Sequence, residues 1–408
     1  MSMLSSATQV GVVGAGAMGR GIAQVAAAAG HRVVLADARP GAAAEAHEAI
    51  DRALTALVAK GKMEASARDA LLGRIAVVES RSPGRATIEP HTDLVDVGAF
   101  AQCGLVIEAI VERLDAKRDL FAHLARAVPV DAVLATNTSS LSVAAIAADS
   151  PANARIIGLH FFNPPPLMPL VEVVPWAGTT SAVTEGCLNL LAVWGKTPVR
   201  CTDTPGFIVN RVARPFYGEA LRIAEEGTAD YATIDWAMRE IGGFRMGPFE
   251  LMDFIGNDIN LAVTQAIFEG FFFESRYRPS LTQQRLVAAG YLGRKTKRGY
   301  YDYGEQASLP EPRRDAALGA AIVERIRAML INEAVDALRL GVASATSLDV
   351  AMRTGVNYPK GLLAWCDELG ATSVLGTLER LHAEYGEERY RPSPLLRRAA
   401  RDGTRFLE

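Results

Sequence analysis

The chain has 408 residues, more than one compact core usually holds, and this length predicts two or three domains. Its composition, 49% hydrophobic and 22% charged, is typical of a folded globular protein and not of a disordered one. A net charge of -3 argues against a nucleic acid or an anionic membrane as partner, but it allows a local cationic patch. We find no signal peptide and no apolar run near the ~20 residues that span a bilayer, so we expect a cytoplasmic protein.

Cysteine and histidine spacing does not suggest a metal site. The four cysteines form no CxxC pair, which favours buried or idle thiols in a reducing compartment. No zinc-ligand spacing appears among the six histidines and four cysteines, so we expect no metal. Five of the histidines occur in helical or turn contexts without polar neighbours, and we interpret them as structural or solvated. They are His31, His47, His91, His123 and His382.

The first 200 residues alternate short β-branched runs with helical stretches, which predicts an α/β fold with a mostly parallel, doubly wound sheet. Between the second and third predicted strands, residues 42–74 are predicted to form an αα-hairpin that turns at Lys60, Gly61 and Lys62. Such an insertion into a simple plan often carries specificity. The predicted strands are residues 9–13, 32–36, 105–109, 133–136, 156–160, 170–174 and 198–201.

After Gly206 the sequence shows helical periodicity with few strand signals. One segment, residues 304–314, has the two prolines and mixed charge of a linker. We therefore predict a dinucleotide-binding domain over residues 1–203, followed by two tandem all-α domains over residues 204–303 and 317–408.

The two helical parts resemble each other. Residues 210–256 align without a gap to residues shifted by 114. Such a constant offset predicts duplication of one helical unit, and duplicated units commonly bury a shared face against each other. Asn210 meets Glu324 and Pro248 meets Leu362, so the two copies are expected to differ in function. The matched pairs are Glu219 with Glu333, Gly227 with Gly341, Asp235 with Asp349, Gly247 with Gly361, Asp253 with Asp367, and Gly256 with Gly370.

A glycine-rich turn follows the first predicted strand and precedes a helix. Its glycines, Gly14, Gly16 and Gly19, have the GxGxxG spacing of a dinucleotide-binding fingerprint. The next predicted strand is followed by Asp37, which would accept hydrogen bonds from an adenosine ribose and repel a 2′-phosphate. This arrangement predicts NAD as cofactor and not NADP. Arg39 could soften that preference, but we interpret it as a solvated surface charge.

One histidine has a distinctive position. His160 ends a predicted strand at the edge where open α/β sheets bind ligands, and Glu172 lies within the next, apolar strand. A carboxylate there is costly unless it is paired, which suggests an imidazole–carboxylate couple for proton transfer. From spacing alone, a structural histidine and a surface glutamate explain the pattern equally well.

Three further segments have a distinctive content, spacing and order: GLHFFNPPPLMPLVEV (158–173), TNTSSLS (136–142) and DTPGFIVNR (203–211). Together they resemble the 3-hydroxyacyl-CoA dehydrogenase family, and the resemblance extends from Val10 to about Tyr303. It implies oxidation of a (3S)-3-hydroxyacyl-CoA with His160 as base and Glu172 as its partner. Ser139 and Asn210 match the polar residues around the 3-oxygen and thioester.

The resemblance also implies positions for further ligand contacts. Asn163 matches a support near the histidine. Glu108, in the motif VIEAIVE, matches a position that lines the nicotinamide side of the cofactor, as do Lys117 and Asn137. Short members of the family dimerise through one helical domain, so the second helical copy could replace the partner within one chain. A homodimer and a pseudo-dimeric monomer both remain open.

Within the family, WGKTPVRC (194–201), NRVARPFY (210–217) and YGEERYRP (385–392) most resemble members that act on 3-hydroxyadipyl-CoA in phenylacetate catabolism. Arg214 follows Asn210 by four positions, so both project from one helix face. Arg214 could pair with the distal carboxylate of such a substrate. A salt bridge within the domain or to its repeat is an equal alternative.

The phosphates of coenzyme A also need cations. Lys60 and Lys62 at the hairpin turn are candidates for this role. Three further cations are candidates, namely Lys295, Lys297 and Arg298. A solvated surface charge is the alternative for all five.

Other functions stay open from the sequence. A short-chain 3-hydroxybutyryl-CoA dehydrogenase would share every catalytic residue. A silent NAD-binding scaffold would be marked by loss of His160, Glu172 or Asn210, and all three are present. A related sugar-acid dehydrogenase would show no dependence on the CoA moiety.

Overall fold

The computed structural model describes residues 4–80 and 95–407. His91, one of the histidines discussed above, lies outside these ranges. The chain divides into two compact units, Met1–Asp203 and Thr204–Glu408. The boundary after Asp203 coincides with the predicted end of the dinucleotide-binding domain. The further split of the second unit into two domains stays a prediction.

The first unit is built on one eight-stranded sheet in the order β3-β2-β1-β4-β5-β6-β7-β8. Strands from β3 through β6 are parallel, β7 runs antiparallel to β6, and β8 is parallel to β7. The predicted mostly parallel, doubly wound sheet is confirmed. The strands are β1 Val10–Val13, β2 Val33–Ala36, β3 Ile75–Val78, β4 Leu105–Glu108, β5 Val133–Thr136, β6 Ile156–Phe161, β7 Leu170–Val174 and β8 Thr197–Arg200.

All seven predicted strands are present, with ends that differ by no more than one residue. The eighth, β3, was not predicted. It is an edge strand, and only Ile75 of its four residues is fully buried. A strand is predicted from alternating polar and apolar residues or from a continuous apolar run. This short, half-exposed segment directly after a helix shows neither pattern clearly.

Helices cover the sheet, and the predicted αα-hairpin lies between β2 and β3. Its two helices are separated by a turn that contains Lys60, Gly61 and Lys62, as predicted. Gly61 has a φ of 63°, a conformation that glycine adopts without strain. The helices are α1 Ala17–Ala28, α2 Ala42–Ala59, α3 Ala65–Leu72, α4 Leu114–Ala127, α5 Val143–Ala147 and α6 Ser181–Val193.

The second unit is helical throughout the part that the structure describes, apart from loops and isolated bridges. Pro248–Ile255 and Leu362–Leu369 are helices related by the shift of 114 seen in the sequence. The helices are α7 Val209–Val212, α8 Arg214–Glu225, α9 Tyr231–Trp236, α10 Pro248–Ile255, α11 Asn257–Gly270, α12 Leu281–Ala288, α13 Ala316–Arg339, α14 Ala345–Gly355, α15 Leu362–Leu369, α16 Ala371–Tyr385 and α17 Pro394–Asp402.

The residues shared by the two repeats have shared structural tasks. Asp235 accepts hydrogen bonds from the backbone N–H groups of Phe249 and Glu250, which open α10. Asp349 does the same for Leu363 and Ala364 in α15. Each aspartate lies against the matching glycine: a Cβ on Gly247 or Gly361 would approach it to 2.3 Å or less. These matches therefore preserve helix capping and close packing.

The repeats also exchange buried charges within the second unit. Glu333, in the second repeat, accepts from Arg211 Nε (2.7 Å), Arg276 Nη1 (2.9 Å) and Tyr277 Oη (2.6 Å) of the first. Both carboxylate oxygens are thus bound by the opposite copy.

Glu219, in the first repeat, has the equivalent partners in the second. It accepts from Arg325 Nε at 3.1 Å and from Tyr390 Oη at 3.0 Å, with Arg389 Nε at 3.5 Å. Both glutamates are almost fully buried. Each repeat therefore supplies the counter-ions that the other repeat's glutamate requires.

The histidines differ in part from the prediction. His31 is buried, with Nδ1 2.8 Å from the Thr8 carbonyl oxygen, and its Nε2 accepts from Trp194 Nε1 at 2.9 Å. His47 and His123 also have polar neighbours, a carbonyl oxygen and a carboxylate. The expected lack of polar neighbours is therefore wrong for these three. The partners of His31 and His47 are distant in sequence, whereas that of His123 is Asp119, four positions earlier on the same helix. All four cysteines are free and buried.

Across residues 4–80 and 95–407, none of the helices combines the length and apolar character that a bilayer crossing needs.

Candidate active site

The geometry of the loop after β1 explains why glycines occur there. Gly14 has a φ of 101°, and a Cβ there would lie 2.4 Å from the Ala109 carbonyl oxygen. A Cβ on Gly19 would lie 1.7 Å from the Gly14 carbonyl oxygen. Gly16 is the N-cap of α1, receives no side-chain cap, and faces space with no atom within 4 Å of an added Cβ. The uncapped N–H groups at this helix start suit a phosphate.

Asp37 lies directly after β2, next to that loop. Its carboxylate accepts from the backbone N–H of Ala15 at 2.6 Å and of Arg39 at 2.8 Å. Arg39 itself is exposed and forms a two-pronged ion pair with Glu45 on α2. Arg39 is therefore a paired surface charge.

His160 and Glu172 are directly opposite residues of the antiparallel pair β6–β7. His160 Nδ1 lies 2.6 Å from Glu172 Oε2. His160 is 6% exposed and Glu172 is fully buried. Cross-strand neighbours in an antiparallel sheet present their side chains on one face, so this register alone brings the two groups together. The Phe162 ring packs 4.6 Å from the imidazole.

Glu108, the last residue of β4, and Lys117, on α4, form a buried ion pair. Lys117 Nζ is 2.5 Å from Glu108 Oε1, and Thr136 Oγ1 donates to Oε2 at 2.8 Å. Burial raises the pKa of the Glu108 carboxyl, and Lys117 and the hydrogen bonds oppose that rise. Neither side chain has an exposed surface of more than 1%. That they line the nicotinamide side stays a prediction. In the structure, Glu108 Oε1 accepts from the backbone N–H of Ile110, in the loop after β4, at 2.7 Å.

Glu112 is a residue that the sequence interpretation passed over. It lies 3.2 Å from Lys117 Nζ and accepts from Thr138 Oγ1 at 2.5 Å and from the backbone N–H of Ser139 at 2.9 Å. Burial would raise the pKa of its carboxyl, but Lys117 and these hydrogen bonds outweigh burial and lower the pKa. Glu112 thus ties the Ser139 loop to the loop after β4. Its signal was the second acid of the motif VIEAIVE.

Two asparagines of the candidate site differ in their surroundings. Asn137 Oδ1 accepts from the backbone N–H of Phe161 at 2.9 Å, so it ties the end of β5 to the residue after His160. Asn163 is exposed and forms no hydrogen bond with another part of the described chain. The role of Asn163 as a support for the histidine stays a prediction.

Asp203 is another residue missed in the sequence, although it opens the motif DTPGFIVNR. It accepts from Ser142 Oγ and from the N–H groups of Val143 and Ala144, at 2.8–3.0 Å. It therefore anchors the end of the first unit at the start of α5.

The cations proposed for CoA phosphates have varied surroundings. Lys60 and Lys62 are exposed at the hairpin turn. Lys295, in the second unit, is paired with Asp258 at 2.7 Å, and Lys297 is exposed. Arg298 packs over the ring of Tyr291, 4.4 Å from its centroid. Their role in binding CoA stays a prediction.

Asn210 and Arg214 belong to the second unit. Arg214 Nε donates to the backbone carbonyl oxygen of Asn210 at 2.7 Å, although Asn210 lies in α7 and Arg214 begins α8. That the two side chains project from one face stays a prediction. Arg214 Nη1 lies 3.1 Å from Thr264 Oγ1 and 3.5 Å from the Asn260 carbonyl oxygen. Arg214 is 6% exposed and forms no ion pair with any carboxylate in the described chain. The alternative of a salt bridge within the unit is therefore not found.

Within residues 4–80 and 95–407, histidine, cysteine and acidic side chains nowhere gather in groups of three or more that could hold a metal ion.

Comparison with known protein families matches both parts of the chain. Residues 9–204 match "3-hydroxyacyl-CoA dehydrogenase, NAD binding domain". Residues 206–303 and again residues 322–405 match "3-hydroxyacyl-CoA dehydrogenase, C-terminal domain", in agreement with the duplication.

Individual proteins give the same result. The chain is 40% identical to the 3-hydroxyadipyl-CoA dehydrogenase of Escherichia coli, over 98% of both chains. It is 41% identical to a probable 3-hydroxybutyryl-CoA dehydrogenase of Deinococcus radiodurans, over 72% of this chain and 99% of that one. A crystal structure of an Escherichia coli 3-hydroxybutyryl-CoA dehydrogenase superposes with a TM-score of 0.88 and 39% identity, over 97% of this chain and 98% of that one.

The fold, the glycine loop and these matches agree on both the cofactor, NAD, and the class of enzyme, an oxidoreductase. The chain belongs to the 3-hydroxyacyl-CoA dehydrogenase family.

Proposed function

We propose that the chain oxidises a (3S)-3-hydroxyacyl-CoA to the 3-oxoacyl-CoA with His160 as the base. The observation that carries this proposal is the 2.6 Å contact between His160 Nδ1 and the buried Glu172 carboxylate. A buried carboxylate at this distance holds the ring in the tautomer with the proton on Nδ1. Nε2 then takes the proton of the 3-hydroxyl, and Glu172 stabilises the resulting imidazolium.

Bound NAD would supply the acceptor for the hydride that leaves C3. The chain would hold it through the uncapped start of α1 behind Gly14, Gly16 and Gly19, with Asp37 facing the adenosine ribose. Gly16 fits this role, because an added Cβ would occupy open space beside the helix start and not protein.

Ser139 and Asn210 are proposed as the hydrogen-bond donors to the substrate oxygen as it changes from hydroxyl to carbonyl. Glu112 supports this role for Ser139, because its carboxylate accepts from the Ser139 backbone N–H and restricts the loop. Preorganised donors contribute most when their positions are already restricted before the reaction.

The proposed substrate is 3-hydroxyadipyl-CoA, in the catabolism of phenylacetate. Arg214 supports this choice, because a buried guanidinium without a carboxylate partner is costly and a second carboxylate on the substrate would neutralise it. The Escherichia coli relative of this name shares nearly the whole length of the chain. A short-chain 3-hydroxybutyryl-CoA substrate is the second candidate, since relatives of that name reach similar identity.

The test of the base is His160→Gln, with His47→Gln on α2 as control. NAD binding by calorimetry is expected to remain, while turnover falls by about 10²–10⁴-fold because proton removal is lost. The His47→Gln control is expected to keep both NAD binding and turnover. Near-normal turnover in His160→Gln would refute the assignment.

The test of the substrate compares kcat/KM on hydroxyadipyl-CoA and hydroxybutyryl-CoA, each with NAD and with NADP. Arg214→Val is expected to lower the adipyl value by at least ~10-fold, about 1.4 kcal/mol, and to leave the butyryl value nearly unchanged. The control is Arg327→Val. Arg327 lies next to Ala328, the residue of the second repeat that matches Arg214. If Arg214→Val keeps the preference for the adipyl substrate, Arg214 does not bind the distal carboxylate.

We also propose that the second repeat takes the place of a partner subunit, giving a pseudo-dimeric monomer. The reciprocal contacts of Glu219 and Glu333 support this, because they already bury the charges that two separate copies would share. Light scattering during size-exclusion chromatography is expected to give the mass of one chain. A stable homodimer would contradict this arrangement.

A further inference from the structure

The first helical repeat contains an open pocket outside the residues proposed for catalysis. It has a volume of about 710 Å³, within the ~300–1,000 Å³ typical of metabolite sites. Its charged and polar lining consists of Arg222, Glu225, Arg278, Ser280, Thr282 and Arg285. Three guanidinium groups therefore face a single carboxylate.

The charges of the pocket are poorly neutralised. Arg278 and Arg285 form no side-chain hydrogen bond or ion pair within the described chain. Glu225 is already engaged by Ser280 Oγ, at 2.5 Å, and by the Thr282 backbone N–H, at 3.4 Å. The one acidic group is thus partly committed to the start of α12, and two arginines remain without counter-ions.

Arg222 is the buried member of this set, with 7% of its surface exposed. Its Nη1 and Nη2 donate only to the carbonyl oxygens of Gly218 and Arg278, at 2.9 and 3.1 Å, and its buried Nε has no partner. Burial lowers the pKa of this guanidinium; Glu219 opposes that shift, and the nearby Arg389 and Arg278 add repulsion. Arg222 also borders a small inner cavity of about 10 Å³, roughly the size of one water molecule.

The second repeat provides an internal comparison. The segment Arg-Tyr-Arg-Pro-Ser occurs in both copies, so Arg278 matches Arg391 and Arg285 matches Arg398. The counterpart of Arg222 is Asp336, whose carboxylate accepts from Ser393 Oγ at 3.1 Å and from Arg339 Nε at 2.7 Å. At the position where the second repeat carries its own buried anion, the first repeat carries a buried cation.

From this reversal of charge we infer that the pocket binds a small polyanion with at least two clustered oxyanion groups. Arginine recognises carboxylate and phosphate oxygens through paired hydrogen bonds. The ligand would supply the negative charge that Asp336 supplies in the other repeat.

Diphosphates and polycarboxylates share this chemistry, and calorimetry on the intact chain can separate them. Inorganic pyrophosphate and citrate are the two probes, at constant ionic strength and with NAD present. Binding of at least one probe with a Kd below about 10 mM is expected. Preference for pyrophosphate would identify a phosphorylated ligand, and preference for citrate a polycarboxylate. Failure of both probes to bind would overturn the inference.

Matched variants locate the site. Arg278→Ala with Arg285→Ala is expected to weaken binding at least ~10-fold, because both groups are exposed and lose direct contacts. Arg391→Ala with Arg398→Ala removes the same charge from the second repeat and is expected to change Kd less than about twofold. Equal weakening in both double variants would show a general charge effect and overturn the inference.

A last arm separates this pocket from the proposed substrate site. Saturating free coenzyme A is expected to leave pyrophosphate or citrate binding unchanged. Competitive displacement would show that the pocket belongs to the substrate site, and the inference of a separate site would fail. Neither result depends on whether His160 is the base.

Discussion

Replacement of Glu333 by glutamine removes the negative charge that two buried arginines share. Arg211 and Arg276 donate to this carboxylate at 2.7 and 2.9 Å, and they lower its pKa from 4.5 to about 2 although burial acts in the opposite direction. At ~1.36 kcal/mol for each pH unit, this lowering of the pKa corresponds to about 3 kcal/mol of stability at neutral pH. Breaking a buried ion pair typically costs ~3–5 kcal/mol. We therefore expect Glu333→Gln to destabilise the second unit by about 3–4 kcal/mol.

The assay is urea unfolding at pH 7, followed by the fluorescence of Trp236 and Trp365, both in the second unit. A chain with two units need not unfold in one step. A variant whose only tryptophans are Trp236 and Trp365 therefore reports the unfolding transition of the second unit separately from that of the first. Glu324→Gln is the control, since its partner Arg380 is two-thirds exposed and such surface pairs contribute at most ~1 kcal/mol.

The pH dependence provides an independent check of the sign. Because the pKa of Glu333 is lower in the folded chain, its contribution is complete above the unfolded value of 4.5 and is lost as the pH falls towards 2. The Glu333→Gln variant should lack this component of acid destabilisation. A loss below 1 kcal/mol at pH 7, together with an unchanged acid slope, would refute the reasoning.

Three further predictions concern single carboxylates. Glu172→Gln should keep the fold and NAD affinity but lower kcat about 10²–10⁴-fold, because the imidazolium of His160 loses its counter-ion; steady-state kinetics with calorimetry measures both, and an unchanged kcat would contradict it. Glu112→Gln should lower kcat more than it raises KM, because the Ser139 loop loses the charged acceptor of its hydrogen bonds while its backbone stays intact. If the variant is as active as the unchanged protein, other contacts hold the loop. Asp235 has a pKa that burial raises from 3.8 to about 7, so its contribution is complete below 3.8 and is lost as the pH rises through 7. Asp235→Asn should flatten the fall in stability between pH 4 and 7 in thermal melts, and an unaltered slope would argue against this titration.

The pairing of His160 with Glu172 shows where sequence reasoning stops. The strands were predicted almost to the residue, yet a separation of twelve positions allows the two groups to lie apart. The deciding fact is the antiparallel register of β6 and β7, in which the two residues are exact partners. Two strands close in sequence favour such a hairpin, but the eight residues between them leave the register open.

Glu108 and Glu112 illustrate a second limit. Both occur in VIEAIVE, and the sequence interpretation assigned a ligand position to Glu108. In the structure Glu108 is fully buried against Lys117, while Glu112 reaches the Ser139 loop. Burial of one acid and exposure of the other depend on how the chain turns after β4, which periodicity does not reveal.

The repeat was evident from the constant offset of 114, but its use of charge was not. The offset changes to 113 before the second shared segment, Arg276 to Ser280 against Arg389 to Ser393, so an ungapped comparison ends too early. Within that comparison, Asp235 and Asp349 cap helices, while Glu219 and Glu333 are the acids of the buried-ion exchange, with Arg211 and Arg325 among their partners. The other partners in the exchange, Arg276, Tyr277, Arg389 and Tyr390, lie beyond it.

That exchange has a consequence for how the helical unit can evolve. In a homodimer the same contacts form between molecules, so dilution separates them and both copies must be identical. The segment of residues 304–314 makes the encounter intramolecular, with an effective concentration of roughly millimolar or more whatever the amount of protein. Each copy can then change independently of the other: Arg222 in the first repeat and Asp336 in the second occupy matched positions. A fused pair can therefore acquire a one-sided ligand surface, which an assembly of identical chains must build twice.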